Sequence, residues 1–210
     1  GYLGEGRRWL GLLLSRPIAE QQDAPRDWLL ATAKALASAG ELAYGQGDHQ
    51  QATVLLQQSL GHYRQLGDQR GQARALLDLS NLLADRDLQR TGALRAESLA
   101  LFRATGNMLG IAWVLLESGR GEPELARRIA LIEESLALAR AGGFPRTIAT
   151  AVGNLGKIAR LRGELELAWQ HFTEGLAIGR RLRDSWLCAW MLDELGMLAT
   201  QQGDWRQARS

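Results

Sequence analysis

Residues 36–68 read "LASAGELAYGQGDHQQATVLLQQSLGHYRQLGD", and their reading decides the fold. Apolar residues recur every three or four positions, the spacing of a helix face rather than of a strand. The run breaks at Gly47-Asp48 and resumes at once, so it describes two helices joined by a tight turn. The same arrangement returns in residues 155–184, "LGKIARLRGELELAWQHFTEGLAIGRRLRD", and starts again in residues 195–209, "LGMLATQQGDWRQAR". In each, a glycine is followed seven residues later by Gly and an acid, and four residues beyond the acid by alanine. The sets are Gly40, Gly47-Asp48 and Ala52; Gly156, Gly163-Glu164 and Ala168; Gly196, Gly203-Asp204 and Ala208.

A second anchor, a small residue then leucine, falls at Ser59-Leu60, Ser98-Leu99, Ser135-Leu136 and Gly175-Leu176, with spacings of 39, 37 and 40. The unit is a helix, a turn, a second helix and a short linker. A period of this length means a stacked array. Glycine inside a helix costs about 1 kcal/mol relative to alanine. Its repeated use at Gly40, Gly156 and Gly196 implies that another helix passes too close for a side chain, with Ala52, Ala168 and Ala208 facing it. At the turn, glycine is expected to take the left-handed conformation that ends the first helix, and the acid to cap the second.

The chain of 210 residues divides on this reading into a truncated unit with its linker (1–24), four units (25–68, 69–107, 108–145, 146–184) and a second truncated unit (185–210). Two units depart from the pattern. In the second, Ser80 stands at the glycine position and "ADRDLQRT" replaces the turn, one residue shorter. In the third, Gly119 is followed almost directly by Gly121-Glu122-Pro123, so about one turn of the first helix is missing and an irregularity is expected near 117–124. At the front, "EGRRWLGLLLS" reads as a second helix whose first is absent. The chain then begins and ends inside a unit, as a piece cut from a longer array would. Trp9 and Leu10 at one end and Trp205 at the other are expected on faces that lost a neighbour.

The pattern of small residues, Gly-Asp turn and alanine resembles the tetratricopeptide repeat in its longer form. "GEGRRWL", "QATVLLQQSL" and "ALRAESLALFRATGN" resemble the carboxy-terminal repeat region of bacterial signal-transduction ATPases with numerous domains, LuxR-type and maltose-regulon-type transcriptional activators among them. The resemblance implies an all-α, right-handed solenoid of antiparallel helix pairs. It also implies a region that senses an inducer or partner and relays the event to a nucleotide-binding part. No ATPase motif and no DNA-reading helix-turn-helix is recognisable.

Composition narrows the classes of function. Hydrophobic residues make up 46% and the net charge is only +2, so neither disorder nor non-specific nucleic-acid binding is implied. The chain has no apolar run long enough to span a bilayer and no signal-peptide pattern, and is expected in the cytoplasm without membrane contact. A single cysteine, Cys188, excludes an internal disulfide. No catalytic residue, metal site or cofactor is expected. His49, His62 and His171 lack ligand spacing, and Gly156-Lys157 lacks the surroundings of a phosphate loop. The paired arginines Arg7-Arg8, Arg127-Arg128 and Arg180-Arg181 fall on second helices and read as solvated surface.

Of the seven tryptophans, Trp169 is expected to pack between helices, and Trp28 and Trp186, at the start of first helices, in the core between units. Trp113 and Trp190 fall near the start of first helices, which line the concave groove in tetratricopeptide folds. The same alignment places Lys34, Glu41, Tyr44, Arg74, Asn81, Asp85, Arg120, Lys157, Arg160 and Asp193 on that face. Cations, acids and aromatics together suit an extended peptide or a small polar inducer. The expected function is therefore a non-catalytic binding and sensing module of a larger regulator. A stand-alone peptide-binding adaptor and a homo-oligomer formed through open repeat ends are the alternatives.

Overall fold

The computed structural model describes residues 25–84 and 86–201. They form α1 (Arg26–Gly45), α2 (His49–Leu66), α3 (Gln69–Leu83), α4 (Leu88–Ala104), α5 (Met108–Gly121), α6 (Leu125–Gly142), α7 (Pro145–Leu161), α8 (Leu165–Leu182) and α9 (Ser185–Gln201). No strand occurs among the described residues. Two compact units, Gly1–Gly110 and Ile111–Ser210, divide the chain within the first turn of α5.

The turns follow the expected chemistry in the first pair. Gly47 is left-handed at φ 79°, and the Asp48 carboxylate accepts from the Gln51 backbone N–H at 3.1 Å. At the corresponding turn in the second unit Gly163 has φ 78°, but Glu164 does not cap α8 with its side chain. Its extra methylene carries the carboxylate past the free N–H groups, and it meets Arg162 at 2.8 Å instead. Asp68 and Asp87 cap α3 and α4 through Gly71 and Arg90.

Close approach within pairs is real at the small positions. A methyl group on Gly40 would lie 2.8 Å from Leu56 Cγ, and one on Gly156 would lie 2.6 Å from the Phe172 ring. Ala52 and Ala168 are fully buried. The serine anchors have a function the sequence did not disclose. Ser59, Ser98 and Ser135 donate their hydroxyls to the backbone carbonyls of Ala33, Ala73 and Ala112, at 2.8, 2.7 and 2.7 Å. Each bond ties a second helix to the first helix of its own pair, in antiparallel register with the contact at the small residue. The bonded residues are 26, 25 and 23 apart, so the second pair is one residue shorter than the first and the third is three shorter. The missing residues in the third pair come out of the end of its first helix, as expected from the sequence: α5 ends at Gly121, sooner after Ala112 than α1 ends after Ala33, while the connection to α6 at Leu125 keeps its length.

The core in the first unit gathers Leu36, Leu56, Leu60, Leu76 and Leu79 from α1 to α3. In the second unit Leu116, Ile132 and Val152 form one cluster and Phe172, Met191 and Leu198 another. Trp28 and Trp186 do not enter the core, being 42% and 60% exposed. Leu29 and Leu187 take the inward positions, and about 100° of helical rotation per residue turns the preceding tryptophans outward. Trp169 packs against the Phe172 cluster, half-buried. Trp9, Leu10, Trp205, Ala208 and Asp85 lie outside the described residues.

Two glycine substitutions separate packing from propensity. Gly156→Ala would drive a methyl into the Phe172 ring, whereas nothing lies within 4 Å of a methyl at Gly61, inside α2. Chemical denaturation should show Gly61→Ala more stable by about 0.5–1 kcal/mol and Gly156→Ala less stable by about 1–3 kcal/mol.

Candidate functional site

The site is read from the outward stripe of the first helices. On a helix, residues i, i+4 and i+7 share one face. Counted from the small residue, that stripe is Lys34, Ser38 and Glu41 on α1; Arg74, Asp78 and Asn81 on α3; Trp113, Glu117 and Arg120 on α5; Thr150, Asn154 and Lys157 on α7; and Trp190, Glu194 and Met197 on α9. The sequence reading selected mostly the first and last members of each triplet. The middle ones, above all Asp78, Glu117 and Glu194, are where the acids lie.

In the first unit Arg74 joins two helices. Its Nη2 donates to Glu41 Oε1 on α1 at 2.8 Å, and its Nε reaches both oxygens of Asp78, one turn along α3, at 3.0 and 2.9 Å. Arg74 and Glu41 are more than half exposed, whereas the Asp78 side chain keeps only 13% of its surface. Burial pushes the Asp78 carboxyl up to about 6, against the pull of Arg74 and with a further push from Glu41. Asn81, next on the stripe, has a buried Oδ1 without a hydrogen-bond partner. Lys34 is exposed, and the exposed Tyr44 ring meets His49 edge-on at 5.5 Å.

In the second unit the acid is Glu194, with 4% of its side chain exposed. Trp190 Nε1 donates to its Oε1 at 3.2 Å, Lys157 Nζ stands 3.8 Å from the same oxygen, and Arg160 Nε stands 3.5 Å from Oε2. Two cations from α7 thus surround one carboxylate from α9. Neither Oε2 nor Arg160 Nε has a hydrogen-bond partner, so the cluster is loosely closed. Asp193, the acid chosen from sequence, is exposed, because one residue of helix rotates it off the buried side. The Trp186 and Trp190 rings lie 5.4 Å apart, tilted by 45°. On α5, Arg120 holds Glu117 at 3.0 Å, and half-buried Trp113 packs on the Leu116 cluster.

The two faces offer charged hydrogen-bonding groups beside aromatic surface. Among the described residues no group of histidine, cysteine or carboxylate side chains is placed to hold a metal ion. No described helix is long and apolar enough to cross a membrane.

No protein-family model matches the chain, and no curated protein matches it at significant similarity. Solved structures do. BtubC (BKLC) from P. vanneervenii superposes with a TM-score of 0.69 at 15% identity, over 99% of this chain and 84% of that one. Rap protein, solved with Competence and Sporulation Factor, gives 0.67 at 13% identity, over 86% of this chain and 61% of Rap. The apo quorum sensor NprR from B. thuringiensis gives 0.64 at 12% identity, over 99% of this chain and 62% of NprR. The chain therefore spans less than two thirds of the length of Rap and of NprR. These likenesses establish a tetratricopeptide-like helical-repeat fold.

Asp78 makes stability depend on pH. Its folded value, about 6, lies above the ordinary 3.8, so the folded state binds a proton more readily than the unfolded chain. The ionised carboxylate is a cost above pH 6 that is relieved as pH falls. Between pH 7.5 and 5 the stability of the native protein should rise relative to that of Asp78→Asn by about 1 kcal/mol, read from paired urea titrations.

Proposed function

We propose that this chain is a non-catalytic binding module whose first-helix faces grip an extended peptide, serving as the sensing region of a signal-responsive regulator. The observation that carries the reading is the arrangement on each face. Arg74 is stretched between Glu41 and Asp78, and Lys157 and Arg160 stand around Glu194 beside Trp190. Arg74, Glu41 and Lys157 are the exposed members of these clusters, so ligand groups can reach them while the shielded acids Asp78 and Glu194 keep their partners. A peptide backbone and its side chains supply both signs of charge, and the tryptophan faces supply contact area with few rotatable bonds.

The solved relatives support this direction. Rap was crystallised with Competence and Sporulation Factor, and NprR is a quorum sensor, so the same fold carries signal recognition in those proteins. The context of a larger bacterial transcriptional regulator rests on the sequence resemblance to the repeat regions of LuxR-type activators. A stand-alone adaptor would use the same faces and differ only in lacking a domain to which binding is relayed.

Selection from a displayed library of random peptides tests the reading. The native protein should enrich a peptide family, and the variant Arg74→Glu/Lys157→Glu/Arg160→Glu should lose at least tenfold in affinity for it at unchanged helix content by circular dichroism. No enrichment, or enrichment indifferent to all three reversals, would overturn the proposal. Displacement of the peptides by a small polar solute, a sugar for example, would move the assignment to an inducer sensor.

A further inference from the structure

On the opposite side of the first unit, away from the first-helix stripe, a cavity of about 310 Å³ opens between α2 and α4 over α3. Its walls are five leucines from three helices: Leu60, Leu76, Leu79, Leu83 and Leu94. Its remaining lining residues are Thr53, Gln57, Arg64 and Arg90. Thr53 is not a polar lining in practice, because its hydroxyl donates to the His49 carbonyl of its own helix at 2.8 Å. The two arginines differ. Arg64 is held by Glu97 across the groove at 3.0 Å, an exposed pair. Among the described residues the Arg90 side chain makes no hydrogen bond or ion pair; its backbone N–H is used in the cap of α4 by Asp87. The cavity is therefore an apolar slot with an uncommitted cation at its rim.

The second unit carries different residues at the matching positions. The ion pair recurs there as Arg140 to Glu174 at 2.8 Å, so α6 and α8 stand in the same relation as α2 and α4. At the place of Thr53 the second unit has Ile129, which packs onto the core cluster, and at the place of Arg90 it has Leu167. The first unit thus has a smaller residue and a cation where the second has isoleucine and leucine.

We propose that this slot binds a single-chain amphiphile with an anionic head, its tail against the leucines and its head at Arg90. The volume suits an apolar body of about ten non-hydrogen atoms, at the roughly 30 Å³ that a water takes in the liquid, and lies at the lower end of ligand cavities, roughly 300–1,000 Å³. The head has a partner that loses no existing bond, and Arg64 stays with Glu97.

Amide chemical shifts of the whole chain, titrated with sodium octanoate and separately with 1-octanol, test it. The expected result is saturable change centred on Thr53, Leu60, Leu79 and Leu94, with octanol binding at least tenfold more weakly than octanoate. Thr53→Ile, which puts the second unit's residue at the wall of the slot, should weaken binding of both. Arg90→Leu should remove the preference for octanoate while leaving octanol binding unchanged. Shifts that fail to saturate or centre elsewhere, equal binding of acid and alcohol, or binding indifferent to Thr53→Ile would overturn the proposal. Should Thr53→Ile lose its fold by circular dichroism, Arg90→Leu on the exposed surface of α4 decides alone, by whether the preference for the acid survives.

Discussion

The structure depends on how closely the two helices of a pair approach. Contact near the small residue leaves no room for a side chain at Gly40 or Gly156, and about one turn or two away a serine hydroxyl reaches across to a carbonyl of the partner helix. These two features need each other. A serine hydroxyl spans 2.7 to 2.8 Å to a carbonyl only when the backbones are already close, and they come close where the contact is made by small residues: glycine and alanine in the first pair, the buried Ser80 and Thr91 in the second. In the fourth pair Gly175 takes the place of serine, and the thioether of Met191 from α9 occupies the space beside it. There close packing by a flexible side chain replaces a directed bond.

Once each pair is clamped, the orientation of its first helix follows, and with it the stripe that carries charge. Both units place a shielded carboxylate against cations on that stripe, by different routes. In the first unit one arginine serves two acids, and the acid on its own helix is the shielded one. In the second, two cations from one helix serve an acid from the next, with a tryptophan N–H completing the approach. Shielding raises the cost of the charge, and the neighbouring cation offsets part of it. In the first unit this balance makes Asp78 responsive to pH.

The side of the second helices obeys a different rule. Arg64 to Glu97 and Arg140 to Glu174 repeat one contact between successive second helices, at a spacing that the small-residue anchor predicts once it is known. These pairs are exposed and set register more than stability. In the first unit Thr53, the counterpart of Ile129, lines the leucine-walled slot beside Arg64.

Local chemistry was legible in the residues themselves. Helical periodicity, the left-handed glycines at Gly47 and Gly163 and the cap at Asp48 depend on neighbours a few positions apart, and the close approach at Gly40 and Gly156 and the shortening of the second and third pairs show in the spacing of a repeated pattern, which a sequence displays directly. Rotation about a helix axis was harder to read. One residue is worth about 100°, so Trp186 was placed inward when Leu187 is, and Asp193 was chosen where Glu194 is the buried acid. The i+4 member of each stripe was available as a signal at Asp78, Glu117 and Glu194. Partnerships between helices were not, because which cation reaches which carboxylate depends on distances set by packing more than thirty residues away. The sequence by itself determined the helices, their turns and their pairing. Only the tertiary structure decided which polar groups are shielded together, since burial is a property of the neighbours a side chain meets and not of the side chain.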